Sequence, residues 1–234
     1  MIDSILLGDF HVHSTFSDDA VSTLAENITA AAAAGLHELR LVDHVRESTT
    51  WVPEFLAAVA AEPVPDGLTV FSGVESKIMD SAGRLDLPAD YTGAVLIADH
   101  QFPGTDGPWS PRATIERLGN GFRAPDALDL LVGALIGAMG SVESGQLAHC
   151  FSILPKIGLS EADLTDEHLS AWAGAAASTG TLVEVNEKWA CPSPRSLEAA
   201  RRAGVTLVAS TDSHTAHDVG RYKAVIGLLQ GVPA

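Results

Sequence analysis

Seven short apolar runs recur along the chain, separated by segments of helical character. The runs are SILLGDFHVH (4–13), LRLVD (39–43), LTVFSGVE (68–75), AVLIAD (94–99), QLAHC (146–150), TLVEVN (181–186) and VTLVAST (205–211). Their β-branched residues and short lengths are typical of buried strands. Regular alternation of strands with helices predicts a parallel sheet, either doubly wound or closed into a barrel.

Helical segments fit between most of these runs. Thr23 and Glu26 form a capping-box pattern, and Gly35 follows that helix where a left-handed residue is favoured. Further helices are predicted over 51–62, 124–139, 165–178 and 193–204, with Asp126 as a candidate cap of the second. The apolar stretch 128–140 is too short to cross a bilayer and predicts a buried helix.

Composition restricts the possible function classes. The 234 residues suffice for one barrel, one open α/β sheet or two small domains, and 46% of them are hydrophobic. The net charge of −16 argues against long nucleic acids, which are bound through Lys and Arg. Two cysteines without zinc-ribbon spacing, Cys150 and Cys191, and a first segment unlike a signal peptide predict a cytoplasmic protein with reduced thiols and no membrane partner.

Imidazoles or carboxylates stand at the same end of all seven predicted strands. His11 and His13 end the first run, and their spacing of two places both rings on one face of a strand. In parallel α/β folds, functional sites lie at the carboxyl ends of the strands. The first run is followed by Asp18 and Asp19, and the other runs end in Asp43–His44, Glu75, Asp99–His100, His149, Glu184 with Asn186, and Asp212 with His214.

This set of side chains predicts a multinuclear metal site. Six of the nine histidines belong to it. Six imidazoles and at least three carboxylates exceed what one tetrahedral zinc ion binds, and they suit two or three ions of zinc, manganese or iron. A lone histidine at a strand end is more often structural, but seven strand ends together favour ligands. Multinuclear sites serve mainly in hydrolysis, above all of phosphate esters.

Five stretches, in order, resemble the motifs of the polymerase and histidinol phosphatase (PHP) family. They are DFHVHSTFSDDA, LVDH, GVESKI, LAHC and STDSHTAHDVG, and the segment ADH (98–100) adds a further histidine. The match runs from residue 9 to about 222, so the chain is interpreted as one stand-alone domain over 1–234. The resemblance implies a distorted, TIM-like (β/α)7 barrel of parallel strands, with a trinuclear site at their carboxyl ends.

The resemblance also implies which residues hold each metal. The three sets are His11, His13, Glu75 and Asp212; Glu75 as a bridge, with His100 and His149; and His44, His214 and an acid of the first motif. For that acid, the spacing from His13 favours Asp19 over Asp18, although Asp19 is also a candidate cap for a helix starting near Ser22. Glu75, Asp212 and His214 are the candidate catalytic residues.

Other residues near the predicted site receive separate interpretations. Asp9 points to the opposite strand face and is predicted to be structural, whereas Glu184 is a candidate support for the metal ligands. Lys188 and Arg112 are the candidate phosphate-binding residues, since a phosphatase needs positive charge near the non-bridging oxygens. Trp109 and Trp189 are candidate walls of a substrate site, or covers of the core.

The expected function is hydrolysis of a small phosphorylated substrate by hydroxide that bridges two metals. A phosphomonoester of the histidinol phosphate type is favoured, but Cys150 follows His149 where members acting on that ester usually have proline. The alternatives are a phosphodiesterase or nuclease for small nucleotides or oligonucleotides, an amide or lactone hydrolase, and a metal-binding regulatory module without turnover. The oligomeric state is left open.

Overall fold

The computed structural model describes residues 2–232, apart from the side chain of Asp3, so the ends of the predicted domain lie outside it. Its strands are β1 (Gly8–Val12), β2 (Glu38–Val45), β3 (Thr69–Lys77), β4 (Ala94–Ala98), β5 (Phe102–Gly104), β6 (Gly107–Trp109), β7 (Gly145–Ala148), β8 (Leu182–Asn186) and β9 (Leu207–Ser210). Its α-helices are α1 (Ile2–Ile5), α2 (Leu24–Ala33), α3 (Val52–Ala61), α4 (Pro111–Gly119), α5 (Ala124–Met139), α6 (Ile153–Lys156), α7 (Asp166–Thr179), α8 (Pro194–Arg202) and α9 (Ala224–Gln230). Short 3₁₀ helices cover Glu161–Asp163 and Ala216–Asp218.

The main sheet is a nearly closed parallel barrel. Seven strands follow one another in the order β1, β2, β3, β4, β7, β8, β9, and every neighbouring pair is parallel. A bridge between Val12 and Ser213 joins the two edges, where the amide of His13 donates to the carbonyl of Ser213 at 2.8 Å. The prediction of an α/β barrel of seven strands, with a TIM-like arrangement, is confirmed.

The first strand is shorter than predicted. The run 4–13 was expected to be one strand, but residues Ile2–Ile5 form a helical turn and β1 begins at Gly8. Ile5 and Leu6 pack against the core cluster that includes Val225 and Leu229 of α9. The apolar residues at the start of this run therefore cover the amino-terminal end of the barrel rather than extending the strand.

The predicted helices occur, but the cap predicted for α5 is wrong. The Thr23–Glu26 capping box is formed, and α5 covers 124–139 as expected. Asp126 is not the cap of α5, because the cap position is Arg123 and Asp126 lies in the first turn, where its carboxylate accepts hydrogen bonds from the Arg123 guanidinium. Within residues 2–232, no helix is both long and apolar enough to span a membrane.

An insertion between β4 and α5 was not predicted. It holds the antiparallel pair β5–β6 and helix α4. Trp109 of β6 stacks on Phe102 with ring centroids 5.5 Å apart, and the Arg117 guanidinium lies 4.0 Å from the Trp109 ring centroid. Trp109 was considered either as a wall of the substrate site or as a cover of the core. It belongs to the core cluster, which supports the second role. Three-residue strands are too short to leave a periodic signal in the sequence.

The barrel interior is layered along its axis. At the amino-terminal end, the Arg40 guanidinium lies 5.2 Å from the Phe10 ring centroid and donates to Oε1 of Gln146 at 2.6 Å. Small and medium apolar side chains fill the next layer, namely Val42, Leu96, Ala98 and Ala148. The polar side chains of the predicted site occupy the carboxyl end. The packed side chains of the first two layers therefore close the barrel beneath that site.

Candidate metal centre

The predicted ligands converge at the carboxyl end of the barrel. His11 lies on β1, His44 on β2 and Glu75 on β3, and the other ligands lie in the segments that follow β1, β4, β7 and β9. The side chains of His11, His13, Glu75 and His149 are buried, whereas those of His44 and His100 are each 32% exposed. A cavity of about 450 Å³ opens above them and is lined by Asp18, Asp19, His44, Glu75, His100, Lys188, Trp189, Asp212 and His214, among others. The site thus has a buried floor and an open mouth.

Glu75 lies at the centre of this cluster, and its two oxygens face different imidazoles. Oε1 is 3.1 Å from Nε2 of both His100 and His149. Oε2 is 2.8 Å from Nδ1 of His44 and 3.3 and 3.4 Å from Nε2 of His13 and His11. A carboxylate placed in this way can bind two cations at once, one through each oxygen.

Three groups of side chains have ligand atoms within 4.8 Å of one another. They are His13, His44 and His214; His11, His13 and Glu75; and His44, Glu75 and His100. Each pair of groups shares one residue, and of the shared residues only Glu75 has two ligand oxygens to offer. Ions that lie far apart would have ligand sets with no residue in common. Groups that share residues are therefore expected for ions that lie close together.

The donor set fits divalent cations. Oε2 of Glu75 is a buried carboxylate oxygen with no hydrogen-bond partner among the described residues, despite the three imidazole nitrogens around it. Nε2 of His11 lies 2.9 Å from Nε2 of His13, so two ring nitrogens converge on one point beside that oxygen. A buried charged oxygen without a hydrogen bond is costly unless a cation binds it. Imidazole nitrogen and carboxylate oxygen together suit zinc, manganese or iron.

Glu184 holds the His11 ring from behind. Nδ1 of His11 is 3.1 Å from Oε2 of Glu184, and Nε2 of the same ring faces Glu75. The Glu184 carboxylate also accepts hydrogen bonds from Nε2 of Gln146 at 2.9 Å and Nδ2 of Asn186 at 2.8 Å. Glu184 therefore has the supporting position predicted for it, since metal-binding histidines usually donate their other nitrogen to such a carboxylate. Sequence analysis did not single out Gln146. The signal that could have identified it is its polar side chain within the apolar run 146–150.

Two further buried acids lie beside His13 and His149, at longer distances. Oδ1 of Asp43 is 3.8 Å from Nδ1 of His13, beyond hydrogen-bond length, and accepts the amide of Ser14 at 3.0 Å. Oδ1 of Asp99 is 3.5 Å from Nδ1 of His149. Burial lowers the pKa of His149, but Asp99 and Glu75 raise it more strongly, to about 10. These acids therefore favour a positive charge at that ring, which a proton or a metal cation supplies.

The central carboxylates are ionised. Burial raises the pKa of Glu75. The imidazoles of His100 and His11 lower it by more, so the pKa lies well below its usual range. The pKa of Asp212 is likewise raised by burial and lowered more strongly by His11 and other neighbours. Glu184 shows the same balance, again through His11. Ionised buried acids provide the negative charge that balances bound cations.

Of the two candidate acids in the first motif, Asp19 contacts the imidazoles. Its Oδ2 is 3.1 Å from Nε2 of His214 and 3.5 Å from Nε2 of His44. Asp18 lines the cavity but has no ion pair with an imidazole within residues 2–232. The alternative role of Asp19 as the cap of α2 is wrong, because Thr23 caps that helix.

The segment after β8 covers one side of the mouth. Nζ of Lys188 lies 3.4 Å from Oδ2 of Asp212 and 3.3 Å from Nδ1 of His214. The indole nitrogen of Trp189 donates to Oδ2 of Asp212 at 2.8 Å. Lys156 stands over the Trp189 ring, with Nζ 3.8 Å from its centroid. Lys188 and Trp189 therefore line the cavity, as considered from the sequence.

Arg112 and Asp9 lie outside the cluster. The Arg112 side chain is 90% exposed and pairs with Glu116 at 3.1 Å on α4, so it is directed away from the cavity. Asp9 accepts hydrogen bonds from the amide and hydroxyl of Thr211 at 2.9 and 2.6 Å, which ties β1 to the end of β9. Asp9 thus has the structural position predicted for it.

Two site residues have backbone conformations that are uncommon for residues other than glycine. His149 has φ of 30° and Asp212 has φ of 52°. Such conformations persist only where the surrounding structure enforces them, and they are concentrated at functional sites. At these positions, which follow β7 and β9, Nε2 of His149 lies 3.1 Å from Oε1 of Glu75 and Oδ1 of Asp212 lies 3.5 Å from Nε2 of His13.

Curated relatives cover nearly the whole chain, whereas no family model matches it. A probable phosphatase of Caldanaerobacter subterraneus is 26% identical, over 97% of this chain and 84% of the relative. A probable phosphatase of a Shewanella species is 25% identical, over 96% of this chain and 82% of the relative. Among solved structures, the histidinol phosphate phosphatase of Lactococcus lactis, complexed with zinc, L-histidinol and phosphate, superposes with a TM-score of 0.62 at 15% identity, over 96% of this chain and 92% of that one. That similarity establishes a shared fold.

Proposed function

We propose that this chain is a metal-dependent phosphomonoesterase of the PHP family. The observation that carries the proposal is the position of Glu75, whose two oxygens face separate imidazole sets at the carboxyl end of the barrel. Curated relatives that span nearly the whole chain are named probable phosphatases, which supports a hydrolase acting on phosphate esters. Clusters of this composition serve mainly in such hydrolysis.

The proposed site holds two to three divalent ions of zinc, manganese or iron. The proposed ligands are His11, His13, Asp19, His44, Glu75, His100, His149, Asp212 and His214. When bound, such ions act as Lewis acids that polarise phosphoryl oxygens and lower the pKa of water. The chain contributes ring orientation through Glu184, Asp43 and Asp99, and negative charge through ionised Glu75 and Asp212.

Lys188 is the proposed phosphate-binding residue. Its side chain is 45% exposed, and its ammonium group lies at the cavity edge beside Asp212 and His214. From that position it can donate to a non-bridging phosphoryl oxygen and offset the charge that develops there. Arg112 is not proposed for this role because it pairs with Glu116 outside the cavity.

The test combines metal analysis with turnover on two ester classes. Protein purified without chelator and reconstituted with manganese or zinc is assayed for metal by elemental analysis. We expect two to three ions per chain and hydrolysis of p-nitrophenyl phosphate that chelation abolishes. Fewer than one ion per chain after reconstitution contradicts the multinuclear site.

A parallel assay with bis(p-nitrophenyl) phosphate separates monoester from diester hydrolysis. We expect turnover of the monoester and little turnover of the diester. Faster hydrolysis of the diester would replace the proposed activity with a phosphodiesterase. Metal binding without turnover of either ester would instead indicate a regulatory module.

A further inference from the structure

A second cavity adjoins the candidate metal centre. Its volume is about 510 Å³, and it shares Lys188, Asp212 and His214 with the cavity above Glu75. Arg221 and Lys223, which follow β9 and precede α9, also line it. The three shared residues make the two cavities neighbours, and together they are called the cleft.

Two basic side chains of this cleft have no ion pair with a carboxylate. Of the 14 Lys and Arg residues, nine have an ion pair with a carboxylate. Within residues 2–232, Arg221 and Lys223 have none, although the chain carries 30 acids. Surface arginines elsewhere, such as Arg123 and Arg195, pair with nearby acids. Unpaired cations in so acidic a chain are available for an external anion.

The acids that line the second cavity do not cancel these cations fully. Glu187 accepts hydrogen bonds from the backbone amides of Lys223, Ala224 and Val225, each at 2.9 Å. Its carboxylate is therefore engaged by the amides at the start of α9. Asp212 pairs with Lys188 at 3.4 Å and would share its charge with metal cations if they bind there. The remaining acid is Asp218, which is exposed. The three acids thus equal the three cations in number, but Glu187 and Asp212 are engaged elsewhere, which leaves one acid, Asp218, to offset Arg221 and Lys223.

We propose that this second cavity binds an anionic group on the leaving-group side of the substrate. The inference rests on the proposed phosphomonoesterase activity and adds the class of ester. A phosphoryl group at the metal centre lies next to Lys188, and the rest of the ester extends into the cavity toward Arg221 and Lys223. A carboxylate or a second phosphate there gains charge-assisted hydrogen bonds, whereas an ammonium group is repelled.

Four two-carbon esters test the proposal, because they differ mainly in the group beyond the phosphate. Phosphoglycolate carries a carboxylate, ethylene glycol bisphosphate a second phosphate, 2-hydroxyethyl phosphate a neutral hydroxyl, and phosphoethanolamine an ammonium. The metal-loaded enzyme is assayed with each, as wild type and as the double variant Arg221→Gln/Lys223→Gln. For the anionic esters, we expect kcat/KM to fall about tenfold or more in the double variant, mainly through KM. For the neutral ester, the change should stay below about twofold.

Two further variants separate a local subsite from the overall charge of the protein. Arg201→Gln/Arg202→Gln removes the same charge from the end of α8, where both residues pair with Glu198 outside the cleft. This control should leave the preference among the esters unchanged. Asp218→Asn removes the acid at the rim and should increase kcat/KM for the anionic esters.

The outcomes distinguish the proposed anion subsite from the proposed phosphomonoesterase activity. Hydrolysis of the neutral ester supports the phosphomonoesterase itself. An equal fall for all four esters in the Arg221/Lys223 variant, or the same loss in the Arg201/Arg202 control, overturns the anion subsite alone. If no ester is hydrolysed, the phosphomonoesterase proposal fails. Calorimetric titration of the same esters into the unreactive protein then still decides whether the two cations bind an anion.

Discussion

Nδ1 of His11 and Oε2 of Glu184 lie 3.1 Å apart at the bottom of the candidate metal centre. Glu184 accepts from Nδ1, so Nε2 of the same ring is the nitrogen that faces Glu75 and His13. The carboxylate also receives hydrogen bonds from Gln146 and Asn186. One buried acid thus holds the orientation of a proposed ligand.

The variant Glu184→Gln tests this positioning role. A glutamine has one acceptor oxygen, and its amide group would face donors that now point at the carboxylate. We expect metal affinity to fall by about 10- to 100-fold and the free energy of unfolding by about 1–3 kcal/mol. Competition with a chromogenic chelator measures the first effect, and thermal unfolding measures the second. Glu54→Gln, at an exposed position of α3, is the control and should change neither.

The variant Glu75→Gln tests the central carboxylate. It preserves the shape of the side chain but removes the charge that two neighbouring cations share. We expect turnover of p-nitrophenyl phosphate to fall on the order of 100-fold or more, together with loss of metal. Elemental analysis and steady-state kinetics on the same samples check both. Near wild-type turnover with full metal content would refute the assignment, and Glu54→Gln on α3 provides a control for the substitution itself.

A pair of glycines on α5 tests how closely that helix packs on the barrel. A Cβ atom added at Gly137 would lie 2.2 Å from the carbonyl oxygen of Ala82, whereas one added at Gly133 meets nothing within 4 Å. Gly137→Ala therefore forces α5 away from the neighbouring loop and should cost about 1–3 kcal/mol of stability. Gly133→Ala should stabilise by up to about 1 kcal/mol, since alanine favours the helix. Denaturant unfolding of both variants checks the opposite signs, and equal effects would contradict this packing.

The arrangement of strands could be predicted from the sequence because its signals are local. Each barrel strand is a short apolar run with polar residues at its carboxyl end, and the parallel order brings those ends together. The Thr23–Glu26 capping box and the extent of α5 follow from the same kind of signal. These features depend on residues a few positions apart.

What could not be predicted depends on contacts between distant segments. The Arg40–Gln146 hydrogen bond joins residues 106 positions apart, and no local pattern reports it. Ile5, at the end of the first helical turn, packs against a cluster that includes residues of α9, a contact between distant segments that a propensity-based prediction does not see. The grouping of ligands also depends on tertiary geometry, since His13 lies in one group with His44 and His214 and in another with His11 and Glu75.

The choice between Asp18 and Asp19 provides the last test, because the two acids are adjacent in sequence and differ in geometry. Asp19 is half exposed, yet its Oδ2 lies within 3.5 Å of ring nitrogens of both His44 and His214. Burial raises the pKa of Asp19, but the imidazoles of His44, His214 and His13 together lower it by more, so this pKa lies below its usual range. Asp19→Ala should therefore remove one metal ion and most of the turnover. Asp18→Ala should keep both the metal ion and the turnover, with a stability change within about 0.5 kcal/mol.

Metal stoichiometry, turnover and melting temperature of the two variants are compared. An inactive Asp18→Ala beside an active Asp19→Ala would shift the ligand by one residue. A loss of melting temperature alone in Asp19→Ala would contradict the proposed metal role.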